Sequence, residues 1–148
     1  MSDLQELYQQ VIIDHGMHPR NVGELQPCSH HAEGFNPLCG DQLHLYLDVK
    51  NEKISEVKFM SNGCAISTAS ASLMSQFIQG KTVIQACQTM KDFTGMLIDT
   101  QVQPSPSLEK LIILAGVRDY PARVKCATLA WHTLVAALDN ATAAATTE

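Results

Sequence analysis

An α+β fold is the reading of this sequence, in which a small antiparallel β-sheet packs against a helical half, and three features carry it. The N-terminal segment has an apolar stripe at helical spacing, residues 42–60 alternate as two strands about a polar turn, and the chain beyond Cys64 is helical in character. The 148 residues are read as one domain over residues 1–140, large enough to bury a core without disulfides, followed by a disordered tail over 141–148.

In LQELYQQVIIDH, residues 4–15, the side chains of Leu4, Leu7, Tyr8, Val11 and Ile12 share one stripe, which predicts an amphipathic helix capped by Ser2 or Asp3. Pro19 and Gly23 end it. In QLHLYLDVK, Leu43, Leu45, Leu47 and Val49 face inward while Gln42, His44, Tyr46 and Asp48 face outward. The polar NEK turn leads into ISEVKFMS, where Val57 and Phe59 share a face, so the pair forms an antiparallel hairpin. AISTASASLMSQFIQG reads as a helix stopped at Gly80. Further helices are expected over residues 82–90 and, more weakly, 108–114, with the exposed loop TQVQPSPS between them. The last helix opens at Pro121, and Val124, Ala127, Trp131, Leu134, Val135 and Leu138 form its core stripe.

Composition narrows the function. A net charge of −5 lacks the basic footprint of a nucleic-acid binder, so no nucleic-acid partner is expected. MSDLQELYQQ has neither the basic flank nor the apolar stretch of a signal peptide, and no apolar run approaches the roughly 20 residues that span a bilayer. The expectation is a cytoplasmic protein without a membrane partner. The absence of heptads favours a monomer. Five scattered cysteines then read as ligands, reactive thiols or core residues rather than as a disulfide framework.

Three of those cysteines sit at structural junctions: Cys39 in NPLCGD, Cys64 in SNGCAIS and Cys126 in RVKCATLAWH. With 24 residues between the first two and 61 between the last two, no short zinc knuckle exists, and only the tertiary fold can gather them. With Asp41 they make four ligands, the number a tetrahedral zinc site uses. Gly40 and Gly63 free the backbone beside Cys39, Asp41 and Cys64, and Cys64 starts a helix, where the dipole favours a thiolate. Three thiolates and a carboxylate carry four negative charges, of which Zn²⁺ cancels half, so Arg123 and Lys125 beside Cys126 are expected to offset the rest.

The other candidates have plainer readings. Cys87 belongs to a core stripe with Val83, Ile84 and Met90, and Cys28 precedes His30 and His31 without a second cluster to complete a metal tract. His44 is solvated on its strand, His15 and His18 are capping or surface groups, and His132 lies one residue off its core stripe.

DHGMHPRN, NPLCGD, SNGCAIS and RVKCATLAW, in this order, resemble the NifU-like/IscU-like iron–sulfur cluster assembly family, over nearly the whole chain from Leu4 to Leu138. The resemblance implies an α+β fold with Cys39, Asp41, Cys64 and Cys126 gathered at one exposed end. Lys125 stands where the scaffold branch has histidine, and the QVQPSPS stretch lengthens the link to Cys126; both departures resemble the SufU branch. That branch implies Zn²⁺ as cofactor, a cysteine desulfurase and downstream cluster-assembly proteins as partners, and Cys39 as sulfur acceptor, with Arg123 steering the partner or stabilising the sulfur anion. It also implies that a partner histidine displaces Cys39 on docking. Two alternatives remain: a scaffold that transiently carries a [2Fe–2S] cluster on the same four groups, and a structural zinc module for protein interaction.

Overall fold

A computed structural model describes residues 2–99, 101, 103–140 and 145–147. The chain runs α1 (Ser2–Met17), β1 (His30–Asn36), β2 (Asp41–Lys50), β3 (Lys53–Asn62), α2 (Ala65–Ile78), α3 (Val83–Ile98), a 3₁₀ segment (Pro106–Val117), α4 (Pro121–Leu138) and β4 (Ala145–Thr146). The sheet order is β3-β2-β1-β4, antiparallel except for β4, which runs parallel to β1. The α+β expectation holds.

The hairpin forms as its alternation dictates. Leu43, Leu45, Leu47, Ile54, Val57 and Phe59 are fully buried, and the turn residues Asn51 and Glu52 both adopt positive φ, the geometry that matches strand twist in tight hairpins. On the buried side α4 packs over β1 and β2, and α2 packs over β3. Helix α1 packs on α2, while α3 and the 3₁₀ segment close the core beyond α4. Trp131 of α4 stacks on Phe93 of α3 at a centroid distance of 4.7 Å. Among the described residues no helix is long and apolar enough to cross a membrane.

Several expectations change. Strand β1 was not foreseen: its inward residues are Ala32, Gly34 and Asn36, so no apolar alternation marks it. Gly34 is small because a Cβ there would collide with Thr133 of α4. In the expected tail, Ala145–Thr146 pair with Gly34 and Phe35 instead of fraying, and residues 141–144 and 148 lie outside the described set. Helix α3 runs eight residues past the expected end and starts from a Thr82–Gln85 capping box, and it leaves Ile84 77% exposed; its buried face is Ala86, Phe93, Met96 and Leu97, with Cys87 half-buried. The weak helix at 108–114 is 3₁₀, broken where Glu109 takes φ +53. On α1, Leu7 is exposed, the Leu4 side chain and the proposed caps lie outside the described side chains, and His15, expected at the surface, is buried. Gly80 takes φ +87 just beyond α2, and Pro121 opens α4, both as the sequence predicts.

Candidate metal centre

The turn between β1 and β2 presents two of the candidate groups. A Gly40 N–H bond of 2.8 Å to the Asn36 carbonyl closes it, and Gly40 takes φ +75 with nothing within 4 Å of where a Cβ would stand. Cys39 is therefore exposed at the tip, whereas Asp41, first residue of β2, turns inward at 1% exposure. Cys64 is the N-cap of α2, its sulfur accepting the Ser67 N–H at 3.4 Å. Cys126 is buried in the second turn of α4.

These elements bring the groups together. The ligand atoms of Cys39, Asp41 and Cys126 all lie within 4.8 Å of one another, with the Cys126 and Cys39 sulfurs 3.6 Å apart. Cys64 joins from the helix terminus, its Sγ 3.9 Å from Asp41 Oδ2 and its N–H donating to Asp41 Oδ1 at 2.9 Å. Gly63 is small for the sake of this approach: a Cβ there would lie 2.5 Å from Asp41 Oδ1. Its role is room for the carboxylate, not the backbone freedom expected from the sequence.

The donor set fits a small tetrahedral cation. With Zn–S near 2.3 Å and Zn–O near 2.1 Å, tetrahedral edges come to about 3.8 Å between sulfurs and about 3.6 Å between sulfur and oxygen. The observed 3.6 Å and 3.9 Å contacts are of that size, but only Cys39, Asp41 and Cys126 have ligand atoms that all lie within 4.8 Å of one another; Cys64 stands at the side of this group, in contact with Asp41. Burial, together with the neighbouring Cys64, Cys39 and Asp41, pushes the Cys126 thiol far above its ordinary value. Such a thiol ionises at neutral pH only beside a cation.

Asn36, fully buried, has no sequence signal that sets it apart from any turn-forming asparagine, yet it contacts the centre directly. Its amide Nδ2 donates to Asp41 Oδ2 at 3.0 Å and to Cys126 Sγ at 3.6 Å. The charge-offsetting role expected of Arg123 and Lys125 is met at contact distance by neutral N–H groups instead. Arg123 is exposed, its guanidinium 4.7 Å over the Tyr120 ring, and Lys125 is half-buried. Arg123 is felt at Tyr8, whose hydroxyl pKa is raised, by burial first, with the Arg123 charge opposing.

The remaining candidates stay apart from these four groups. Cys28 lines a shallow cleft with His31, His44 and Tyr46 on the open face of the sheet, where His31 stacks on Tyr46 and His44. His30 bonds Ser29 and His44 faces Glu33 at 3.7 Å. His15 bonds Ser72, and His132 is half-buried.

Comparison with known proteins places most of the chain in one family. Residues 7–140 match the NifU-like N-terminal domain family. The zinc-dependent sulfurtransferase SufU of Bacillus subtilis is 41% identical over 133 residues, covering 90% of both chains. The iron–sulfur cluster assembly scaffold protein IscU of Streptococcus pyogenes is 36% identical over 138 residues, covering 93% of this chain and 86% of that one. A crystal structure from Fervidobacterium islandicum, described as a cluster assembly scaffold for the SUF system, superposes with a TM-score of 0.83 at 36% identity, over 90% of this chain and 98% of that one.

Proposed function

Because the chain belongs to the NifU-like N-terminal domain family, we propose that it serves iron–sulfur cluster assembly as a zinc-dependent sulfur acceptor working with a cysteine desulfurase. The observation that carries this reading is the contrast within one cluster: Cys39 is exposed on a glycine turn while Asp41 and Cys126 are buried. Cys39, Asp41, Cys64 and Cys126 would hold zinc, which keeps their thiols deprotonated at neutral pH.

The chain's own residues divide the work. Gly40 lets Cys39 move while Asp41, Cys64 and Cys126 stay fixed by their elements. The Cys39 thiolate attacks the outer sulfur of the desulfurase persulfide. One S–S bond forms as the other breaks, the desulfurase cysteine leaves as thiolate, and one persulfide replaces another without net oxidation. Exposed Arg123, on the first turn of α4, steers the partner or stabilises the sulfur anion. The unit is the domain over residues 1–140, acting as a monomer in the cytoplasm and handing sulfur to downstream assembly proteins.

A scaffold carrying a transient [2Fe–2S] cluster is the second reading, favoured by the scaffold relatives. Lys125 in place of histidine counts against it. Metal analysis of protein purified without added metal separates the two: zinc near one per chain supports the acceptor, iron with inorganic sulfide the scaffold. The acceptor is tested by alkylating zinc-loaded protein, alone and with its desulfurase but no substrate. Cys39 should label slowly alone and faster with the partner, while Cys64 and Cys126 stay protected and zinc is retained. Preferential labelling of Cys64 or Cys126, or zinc loss on docking, overturns it.

A further inference from the structure

We infer that Asn36 is a positioning residue of the metal centre, and that Thr147 of the C-terminal segment latches it in place. The inference rests on the reading of Cys39, Asp41, Cys64 and Cys126 as ligands, and it assigns what holds two of them still.

The Asn36 side chain uses both ends of its amide. Its Nδ2 faces the centre, donating to Asp41 Oδ2 at 3.0 Å and Cys126 Sγ at 3.6 Å. Its Oδ1 faces away, accepting the Leu38 N–H at 3.3 Å and the Thr147 hydroxyl at 2.9 Å. The orientation follows from the partners: a backbone N–H can only donate, and a carboxylate can only accept. Asn36 is 0% exposed, so water cannot substitute for any of these bonds.

Two consequences follow for the ligands. The positive end of the amide dipole points at a cluster rich in negative charge. The two groups it touches, Asp41 and Cys126, are the buried ones. Cys39, only three residues away in the same turn, receives no bond from the Asn36 amide. Asn36 thus fixes the carboxylate and one sulfur directly and makes no side-chain bond to the tip cysteine itself. An aspartate of the same shape would lose both donors and set a second carboxylate against Asp41.

The latch comes from register. Ala145 pairs with Gly34 and Thr146 with Phe35, in parallel, which brings Thr147 level with Asn36. The hydroxyl of Thr147 then completes the acceptor side of the amide. A short strand distant in sequence therefore reaches the centre through one hydroxyl and one amide.

The experiment compares wild-type protein with Asn36→Asp, Thr147→Val and Thr147→Ser. Zinc affinity is measured by chelator competition, and the visible spectrum is recorded after cobalt substitution. Removing an outer partner of a metal ligand typically weakens binding about 10- to 100-fold, and Asn36→Asp should fall in that range with an altered cobalt spectrum. Thr147→Val should weaken zinc about threefold, an order-of-magnitude expectation for a bond one step further out, and Thr147→Ser should restore it. Circular dichroism checks folding; should Asn36→Asp not fold, the two Thr147 variants decide alone. Wild-type affinity and spectrum in Asn36→Asp overturn the positioning role, and equal behaviour of Thr147→Val and Thr147→Ser overturns the latch. Wild-type protein that binds neither zinc nor cobalt sinks the underlying metal-site reading instead.

Discussion

The imidazole of His15 lies 3% exposed between α1 and α2, its Nδ1 2.7 Å from the Ser72 hydroxyl, which also accepts the Arg20 N–H. Helical periodicity counts histidine as polar, so it is read from the sequence as a surface group; only the Ser72 hydroxyl, 57 residues away, makes its burial tolerable. Burial first, then the nearby Arg20, holds its pKa below the ordinary value, with Asp14 opposing and Lys110 assisting. Burial lowers His132 in the same direction. The folded protein therefore keeps His15 neutral where the unfolded chain takes up a proton, near pH 6.5. Stability from this group is complete above about pH 6.5 and declines as pH falls toward the lowered folded value. Melting temperature of metal-free protein should drop across that window, and His15→Gln should flatten the slope in part. An unchanged slope in the variant contradicts the assignment. Asn36 was hidden for a similar reason: its importance comes from partners that only the tertiary fold supplies.

At the scale of elements, Cys64 serves α2 and the metal centre at once. Its sulfur accepts the Ser67 N–H at the helix start while standing 3.9 Å from Asp41. The two duties separate by substitution. Cys64→Ala should cost metal-free protein about 1 kcal/mol, the usual worth of a cap, and Cys64→Ser should recover most of it because a hydroxyl caps well. Both should lose metal affinity. Equal metal-free stability of the two variants, measured by urea unfolding, contradicts the capping role. The β2–β3 hairpin and α4 were legible because their buried faces carry large apolar side chains, whereas α2, buried largely through Ala and Ser, was legible from its composition and the stop at Gly80. Strand β1 was silent because α4 lies so close that only Ala32, Gly34 and Asn36 fit beneath it. Strand β4 was silent because a two-residue parallel pairing leaves no periodicity to detect.

For the whole molecule, the centre ties together the β1–β2 turn, the start of α2 and the second turn of α4, three segments spread over most of the chain. The four candidate groups were legible because cysteine and aspartate at element junctions stand out, whereas their order of burial was not. A metal that binds only the folded chain stabilises it by about 4 kcal/mol at a thousandfold excess over its dissociation constant. Chelation should therefore lower the melting temperature on the order of 10 °C, and zinc should restore it. A melting temperature indifferent to chelator indicates that these segments are held by packing alone. Because Thr147 bonds the side chain that touches Asp41 and Cys126, a segment joined directly after Thr147 starts one side chain away from the centre. A polyhistidine purification tag placed there would hold a run of imidazoles next to the cysteines at high effective concentration. Metal stoichiometry and thiol reactivity measured on such a fusion would describe the tag as much as the protein.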